Sequence, residues 1–535
     1  MSTNFNDPCS QGIILAGSGA GCDRVTGRWI LTATILASSM AFIDGTVVNV
    51  ALPFLQKDLN ATVIGVQWVV EAYSLFLAAL LLVGGSLGDR YGRRRVFTIG
   101  VAIFALSSIA CGFARTIDEL IVARAVQGIG GALLVPGSLA IISASFAPDQ
   151  RGKAIGTWSG FSAMTTAVGP VLGGWLVEHV SWRAVFFLNI PLAVAVLIIS
   201  FWRVPESRDT SSHGSLDWIG AVLATLGLGG LVFGLIESPR LGLSHPLVVA
   251  SFIVGVVGLV VFLLNEIRSA NPMVPLKMFR SRDFSGANLL TLLIYAALSA
   301  TFFFFALNLI QVQKYSATAA GAALIPFVVI MFSLSRWSGG LVDRFGARLP
   351  LVVGPLVAAV GFALFAVPSI SSNYFTSFFP AVVVLGLGMA ITVAPLTTTV
   401  MNAVGERSGI ASGINNAVSR TAGLLAIAVF GVVILNSFSN ELKVKLSELN
   451  IDLAKQQSIY EQRVKLGGIQ APSNFDASER AAVELAVSES VVRGFRLVVL
   501  ICSGLAVASA LSSWLLIGGS PGKSSTPAKT SQNTN

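Results

Sequence analysis

GGSLGDRYGRRRV, Gly84 to Val96, sets Asp89, Arg90, Arg93, Arg94 and Arg95 between two long apolar runs, and a weaker copy, SGGLVDRFGARLP, begins at Ser338. The whole 535-residue chain is 54% hydrophobic and only 11% charged. Soluble globular chains hold about 45–50% apolar and about 25% charged residues. A chain so poor in charge is read as membrane spans of about 20 residues. Those spans must be helices, because lipid cannot satisfy an open backbone.

Working outward from the quoted turn gives fourteen apolar runs, the first at Trp29–Ala51 and the last at Val491–Ile517. Turns after even-numbered runs are basic: Arg90 to Arg95, Arg151 and Lys153, Arg203 and Arg208, Arg268 to Arg282, Arg344 and Arg348, and Arg407. Turns after odd-numbered runs carry single cations such as Lys57, Arg115 and Lys314. The positive-inside rule assigns the first set, and with it both termini, to the cytoplasm of a bacterial inner (plasma) membrane. The net charge of +9 is therefore an orientation signal. Nucleic acid is excluded as a partner, since the cations form no continuous polar face.

The copy at Ser338 lies about 254 residues after the original, and QRGKAIG at Gln150 matches ERSGIASG at Glu406 at nearly the same offset. Two matches at one offset indicate an internal duplication of parallel topology. The expected architecture is an all-α polytopic membrane protein. It has two pseudo-symmetric six-helix bundles (residues 29–203 and 284–517) and a linker with two extra transmembrane helices (204–283), fourteen in all. A cytoplasmic N-terminal segment (1–28) and a Ser- and Pro-rich tail (518–535) flank them. Within the second bundle, residues 437–489 are expected to form an external helical hairpin: Leu442, Leu446, Leu449 and Leu453 fall at helical spacing, and GGIQAPS marks a turn. That hairpin offers a surface for a periplasmic accessory protein.

Small residues before Asp89 let two helices approach closely, and a carboxylate at a helix junction can hold a neighbouring helix N-terminus or an arginine. Gly85, Asp89, Arg90, Gly92 and Arg93, with Asp343 and Arg344 in the copy, are therefore expected to latch the bundles together in one conformational state. The plain alternative is a topology signal.

Of 26 acids, only Asp44 and Glu71 fall well inside a span. A buried ionised side chain costs at least about 2.5–3.5 kcal/mol on insertion scales, so both are candidates for carrying protons. Arg124, also embedded, stays charged and can favour the ionised form of a neighbouring acid. Trp68, Tyr73, Tyr295, Asn308 and Arg420 are candidates to line a substrate cavity, since aromatic faces suit flat apolar or cationic ligands. Phe302 to Phe305 must point around their helix, so some are expected to face lipid. The four cysteines form no CxxC, and neither a metal site nor a disulfide framework is expected. GGSPGKSS at Gly518 lacks the first glycine of a phosphate-binding loop, Ile517 standing there. ATP hydrolysis is not supported, and no enzyme motif is present.

Several stretches resemble one family. GSLGDRYGRRRV is similar to the signature turn of the major facilitator superfamily. LIVARAVQGIGGA (Leu120–Ala132) resembles its fourth-helix Arg-x-x-Gln-Gly motif, and TTAVGPVLGG (Thr165–Gly174) its fifth-helix antiporter motif. IDGTVVNVALP (Ile43–Pro53) and WRAVFFLNIP (Trp182–Pro191) resemble the 14-helix drug:proton antiporters. Thr165 departs from the pattern, which usually opens with Gly. The resemblance implies the major facilitator fold and a role for Asp44 and Arg124 in proton transfer. It also implies that Gly169, Pro170, Gly173 and Gly174 seal the bundle interface. The expected activity is export of hydrophobic or cationic small molecules in exchange for protons, with no cofactor and the proton motive force as energy source. A hundredfold outward gradient costs about 2.7 kcal/mol, and one proton entering down about 150 mV releases about 3.5 kcal/mol. Uptake of a small nutrient is the runner-up, and a non-transporting membrane sensor the third reading.

Overall fold

The computed structural model describes residues 13–15, 22–208, 217–404, 408–449, 451–472 and 474–518. Most residues of the two expected terminal segments lie outside these. The first half comprises α1 (Arg24–Asp58), α2 (Val63–Tyr91), α3 (Arg93–Phe113), α4 (Ile117–Ser145), α5 (Pro148–His179) and α6 (Ala184–Arg203). Then come α7 (Trp218–Leu241) and α8 (Pro246–Arg268). The second half comprises α9 (Arg282–Val312), α10 (Ala317–Ser335), α11 (Arg348–Leu364), α12 (Tyr374–Asn402), α13 (Ser408–Glu448) and α14 (Ala477–Leu516). Among the described residues, twelve of these are long and apolar enough to cross a membrane. The other two are α11, which is shorter, and α5, which is long but rich in Gly, Ser and Thr.

Side-chain caps set several helix starts: Thr62, Thr116, Asp217, Ser281 and Ser316 each accept a bond from a backbone N–H of the first turn. Close packing in the first half rests on small residues. A Cβ on Gly130 would lie 2.6 Å from the backbone nitrogen of Phe104, and one on Gly100 would lie 2.9 Å from that of Leu134. Helices α3 and α4 thus touch backbone to backbone. The linker helices pack on each other, and α7 also lies against α2 and α13, where the halves meet. Helix α8 exposes Ile253, Val254, Val256, Val257, Val260 and Val261, the surface of a helix bathed in lipid.

The phenylalanine expectation is corrected: Phe303, Phe304 and Phe305 are each 1% exposed. Helix α9 is packed by α12, α13 and α14, so it has no lipid face at that level. One small ribbon interrupts the helical architecture among the described residues, Ile13–Leu15 pairing in parallel with Glu206–Arg208. Cys111 and Cys502 are free and buried. Cys22 is disulfide-bonded, which the cysteine spacing did not suggest.

Helices α13 and α14 have 41 and 40 residues, about 60 Å each at 1.5 Å per residue, twice the hydrocarbon thickness. Their projecting ends carry a short helix, Leu453–Tyr460, and a turn, Arg463–Gly468. Leu442, Leu446, Ile459, Leu466 and Phe475 form the buried core of this projection. Leu453 is exposed, because α13 ends at Glu448 and the leucine spacing does not continue through the break.

Candidate functional site

The buried centre of the first half is a polar cluster around Asp44, on the middle of α1. Its Oδ2 accepts from Nη1 of Arg124, on α4. Its Oδ1 accepts from Nε2 of Gln127 at 2.9 Å and Nδ2 of Asn189, on α6, at 3.2 Å. Gln127 and Asn189 also donate to Oγ of Ser108, on α3, at 2.7 and 3.0 Å. Arg124 is held on three further sides. Its Nε donates to the carbonyl of Val69 at 3.1 Å, its Nη1 to Oε1 of Gln127 at 2.7 Å, and its guanidinium lies 4.3 Å from the Tyr73 ring centre. Neither Asp44 nor Arg124 is more than 1% exposed. A buried charge pair is tolerable only when its lone pairs and protons find further partners; Gln127, Asn189 and the Val69 carbonyl supply them here, and Ser108 holds the two amides in place. Sequence reading passed over Gln127, Asn189 and Ser108. The first two lie inside quoted motifs, and their amide side chains in apolar helices were the available signal.

Glu71, on α2, is fully buried, and neither carboxylate oxygen has a hydrogen-bond partner among the described residues. It does not join the Asp44 cluster. One turn earlier, Gln67 donates to the carbonyl of Ile427 on α13 at 3.2 Å, so this face of α2 meets the second half.

A cavity of about 440 Å³ lies between the halves. Tyr73 and Arg124 line it from the first half, and Tyr295, Phe302 and Arg420 from the second. Thr46, Asn49, Ser74, Ser299, Asn416 and Ser419 add polar groups. Trp68 and Asn308 do not line it, which corrects two expectations. The indole of Trp68 donates to Oε1 of Glu237 on α7 at 3.0 Å. Asn308 is buried in the short π-helical turn Asn308–Val312. Both residues sit on the right helix but on the wrong face, and helix rotation is set by packing.

Gly169, Gly173 and Gly174, with Pro170, bring α5 onto α1 and α10. A Cβ on Gly169 would clash with Thr46, and one on Gly173 with Val47, on the α1 turn just after Asp44. Gly174 faces the carbonyl of Ala317, and Gly321 faces the carbonyl of Pro170. The halves are also tied nearby by Glu178, which accepts from Oγ1 of Thr318 at 2.6 Å. Further along the same end, Gln311 donates to Oε1 of Gln56 at 2.9 Å, and Gln56 to the carbonyl of Lys465 in the projecting turn at 2.9 Å.

The quoted turn is used within its own half. Asp89 pairs with Arg93 at 2.7 Å, and Arg90 lies over Tyr91. Gly92 has φ +111°, and a Cβ there would come within 2.8 Å of the Glu206 carboxylate. That carboxylate, from the segment after α6, accepts from the backbone N–H of Arg94 at 3.0 Å. It thus caps the N-terminus of α3, and Arg95 lies 3.8 Å away. Glu206 was not among the expected residues, since nothing in its local sequence points 112 positions back. Gly85 has only the Pro136 side chain near it. In the copy, Arg344 lies over Phe345, and the side chain of Asp343 lies outside the described residues. Among the described residues, no bond joins the two turns.

Residues 34–427 match the Major Facilitator Superfamily. The chain is 32% identical to the tetracenomycin C resistance and export protein of Streptomyces glaucescens over 484 residues, 90% of each chain. It is 32% identical to the multidrug resistance protein Stp of Mycobacterium tuberculosis over 499 residues, 90% of this chain and 91% of that one. It is 33% identical to the methylenomycin A resistance protein of Bacillus subtilis over 412 residues, 76% and 88% of the two chains. In three dimensions it is similar to a bacterial homolog of the human lysosomal transporter Spinster in an inward-facing, unoccupied conformation. The TM-score is 0.61 at 16% identity, covering 94% of this chain and all of that one, a likeness of fold.

Proposed function

The chain belongs to the Major Facilitator Superfamily, and we propose that it exports drug-like small molecules across the plasma membrane in exchange for protons. The observation that carries this reading is the sealed Asp44 carboxylate, whose cationic partner Arg124 also lines the central cavity. The antibiotic-export and resistance names of relatives matched over most of their length support the direction and the substrate class. It is a multi-pass transporter of small molecules in a lipid bilayer.

The proposed cycle uses this chain's own groups. A proton reaching Asp44 neutralises it and removes the charge that holds Arg124. Arg124 is then free to turn its guanidinium toward the cavity and its contents. Proton loading and substrate loading are proposed to alternate, because the release of Arg124 reshapes the cavity that it lines. Gly169 and Gly173 pack on the α1 turn that holds Asp44, at Thr46 and Val47. A shift of α1 therefore reaches the α5–α10 contact, where the halves are tied. Glu71 is assigned as a second proton carrier, because it is an acid buried within a span with no hydrogen-bond partner among the described residues. Asp89, Arg90, Arg93, Asp343 and Arg344 would close the opposite, cytoplasmic end when the halves rock. Both termini are assigned to the cytoplasm, energy to the proton motive force without a cofactor, and the projecting hairpin to contact with an accessory protein.

The test is proton-driven dye efflux in inverted vesicles carrying Asp44→Asn or Glu71→Gln. Loss of at least tenfold in Asp44→Asn is expected, and full activity in both variants would reject the proposal.

A further inference from the structure

Resting on the export reading, we propose that the central cavity selects apolar molecules bearing one negative charge, with Arg420 as the residue that binds that charge. The aromatic rings suit a flat apolar or cationic ligand, and the charges in the cavity point away from the cationic one. No aspartate or glutamate is among the residues lining it. The nearest acid on the first half, Asp44, is fully buried and engaged by Arg124, Gln127 and Asn189. Glu71 is buried away from the lining.

Arg420, on α13, lines the cavity and makes no hydrogen bond or ion pair among the described residues. A guanidinium keeps its charge in a protein and offers five donors in a rigid fork suited to carboxylate, sulfonate or phenolate oxygens. Serine and asparagine hydroxyl and amide groups line the same cavity. Tyr73, Tyr295 and Phe302 supply apolar faces for the body of the ligand. A cation entering this space meets an uncompensated positive charge. An anion meets a partner.

The energetics agree with the charge. An anion leaving the cytoplasm moves down the membrane potential, as does a proton entering. One proton on Asp44 then suffices, whereas export of a monovalent cation for one proton would gain nothing from the voltage.

The experiment compares two dyes in inverted vesicles holding the full chain: 1-anilinonaphthalene-8-sulfonate, apolar and singly anionic, and ethidium, apolar and cationic. The wild type is expected to move the sulfonate with a KM at least tenfold below that for ethidium. Arg420→Gln should raise the sulfonate KM tenfold or more and lower that for ethidium, while Arg420→Lys keeps most of the sulfonate preference. A wild-type preference for ethidium overturns the proposal and leaves the export reading standing. Equal loss of both dyes in Arg420→Gln, with the chain still folded by size-exclusion chromatography, makes Arg420 structural and also overturns it. If Arg420→Gln does not fold, the wild-type preference and Arg420→Lys decide. Failure of the wild type to move either dye overturns both readings together.

Discussion

Asp44 and Arg124 meet as an ion pair 80 positions apart in the chain, with neither side chain more than 1% exposed. Removing one partner leaves the other buried and uncompensated, which costs about 3–5 kcal/mol, whereas removing both is often nearly neutral. Asp44→Asn and Arg124→Gln are therefore each expected to lower the unfolding temperature of the purified protein. The double variant should recover most of that loss and still fail to couple efflux to protons. Thermal unfolding followed by intrinsic fluorescence, beside vesicle transport, checks both halves of the statement.

Gly174 faces a backbone carbonyl of α10 across the seam between the halves, whereas Gly160, on the same helix, has nothing within 4 Å of an added Cβ. Backbone cannot step aside as a flexible side chain can, and overpacking costs about 1–3 kcal/mol. Gly174→Ala should cut transport by at least tenfold through loss of the close contact, and Gly160→Ala should leave it within twofold. Similar rates for the two variants would remove the seam from the mechanism.

Gln56 and Gln311 bridge the halves through one hydrogen bond beside the projecting turn. If the halves must part there in each cycle, Gln56→Cys/Gln311→Cys joined by a short bifunctional maleimide should stop transport. Each single cysteine variant treated alike should retain it. Undiminished efflux after full cross-linking, judged by mass spectrometry, would mean that this end does not open.

Asp476 begins α14 as a capping box: its Oδ1 accepts from the backbone N–H of Glu479 at 2.7 Å, and Glu479 Oε2 accepts from its own N–H at 3.0 Å. The bond from the Glu479 backbone, then that from the Ser478 hydroxyl, hold the Asp476 carboxyl below its ordinary value of 3.8. A lowered pKa means stabilisation that is complete above the unfolded value and lost as pH falls through the folded one. Amide exchange at residues 477–481 should thus be flat from about pH 5 to 8 once corrected for intrinsic rates. Protection should fall only below pH 3.8, and Asp476→Ala should show the acid-state exchange throughout.

The span pattern, the repeated basic turn and the embedded Asp44, Glu71 and Arg124 were legible in the residues alone, because hydrocarbon enforces its rules locally. Each helix must be long and apolar, each charge inside it must have a reason, and each turn must face water. What a line of residues cannot carry is helix rotation and neighbour order. Those sent Trp68 to Glu237 on α7 instead of the cavity, and buried Phe303 to Phe305 on every side. They spent the arginines after Gly92 partly on Glu206. They also decided that Asp44 is closed off by groups from α4 and α6, while Arg420 has no hydrogen-bond or ion-pair partner among the described residues. Composition and periodicity determined that this chain spans a bilayer with few buried charges; only the packing of distant helices determined which of those charges are neutralised and which remain free to meet a ligand.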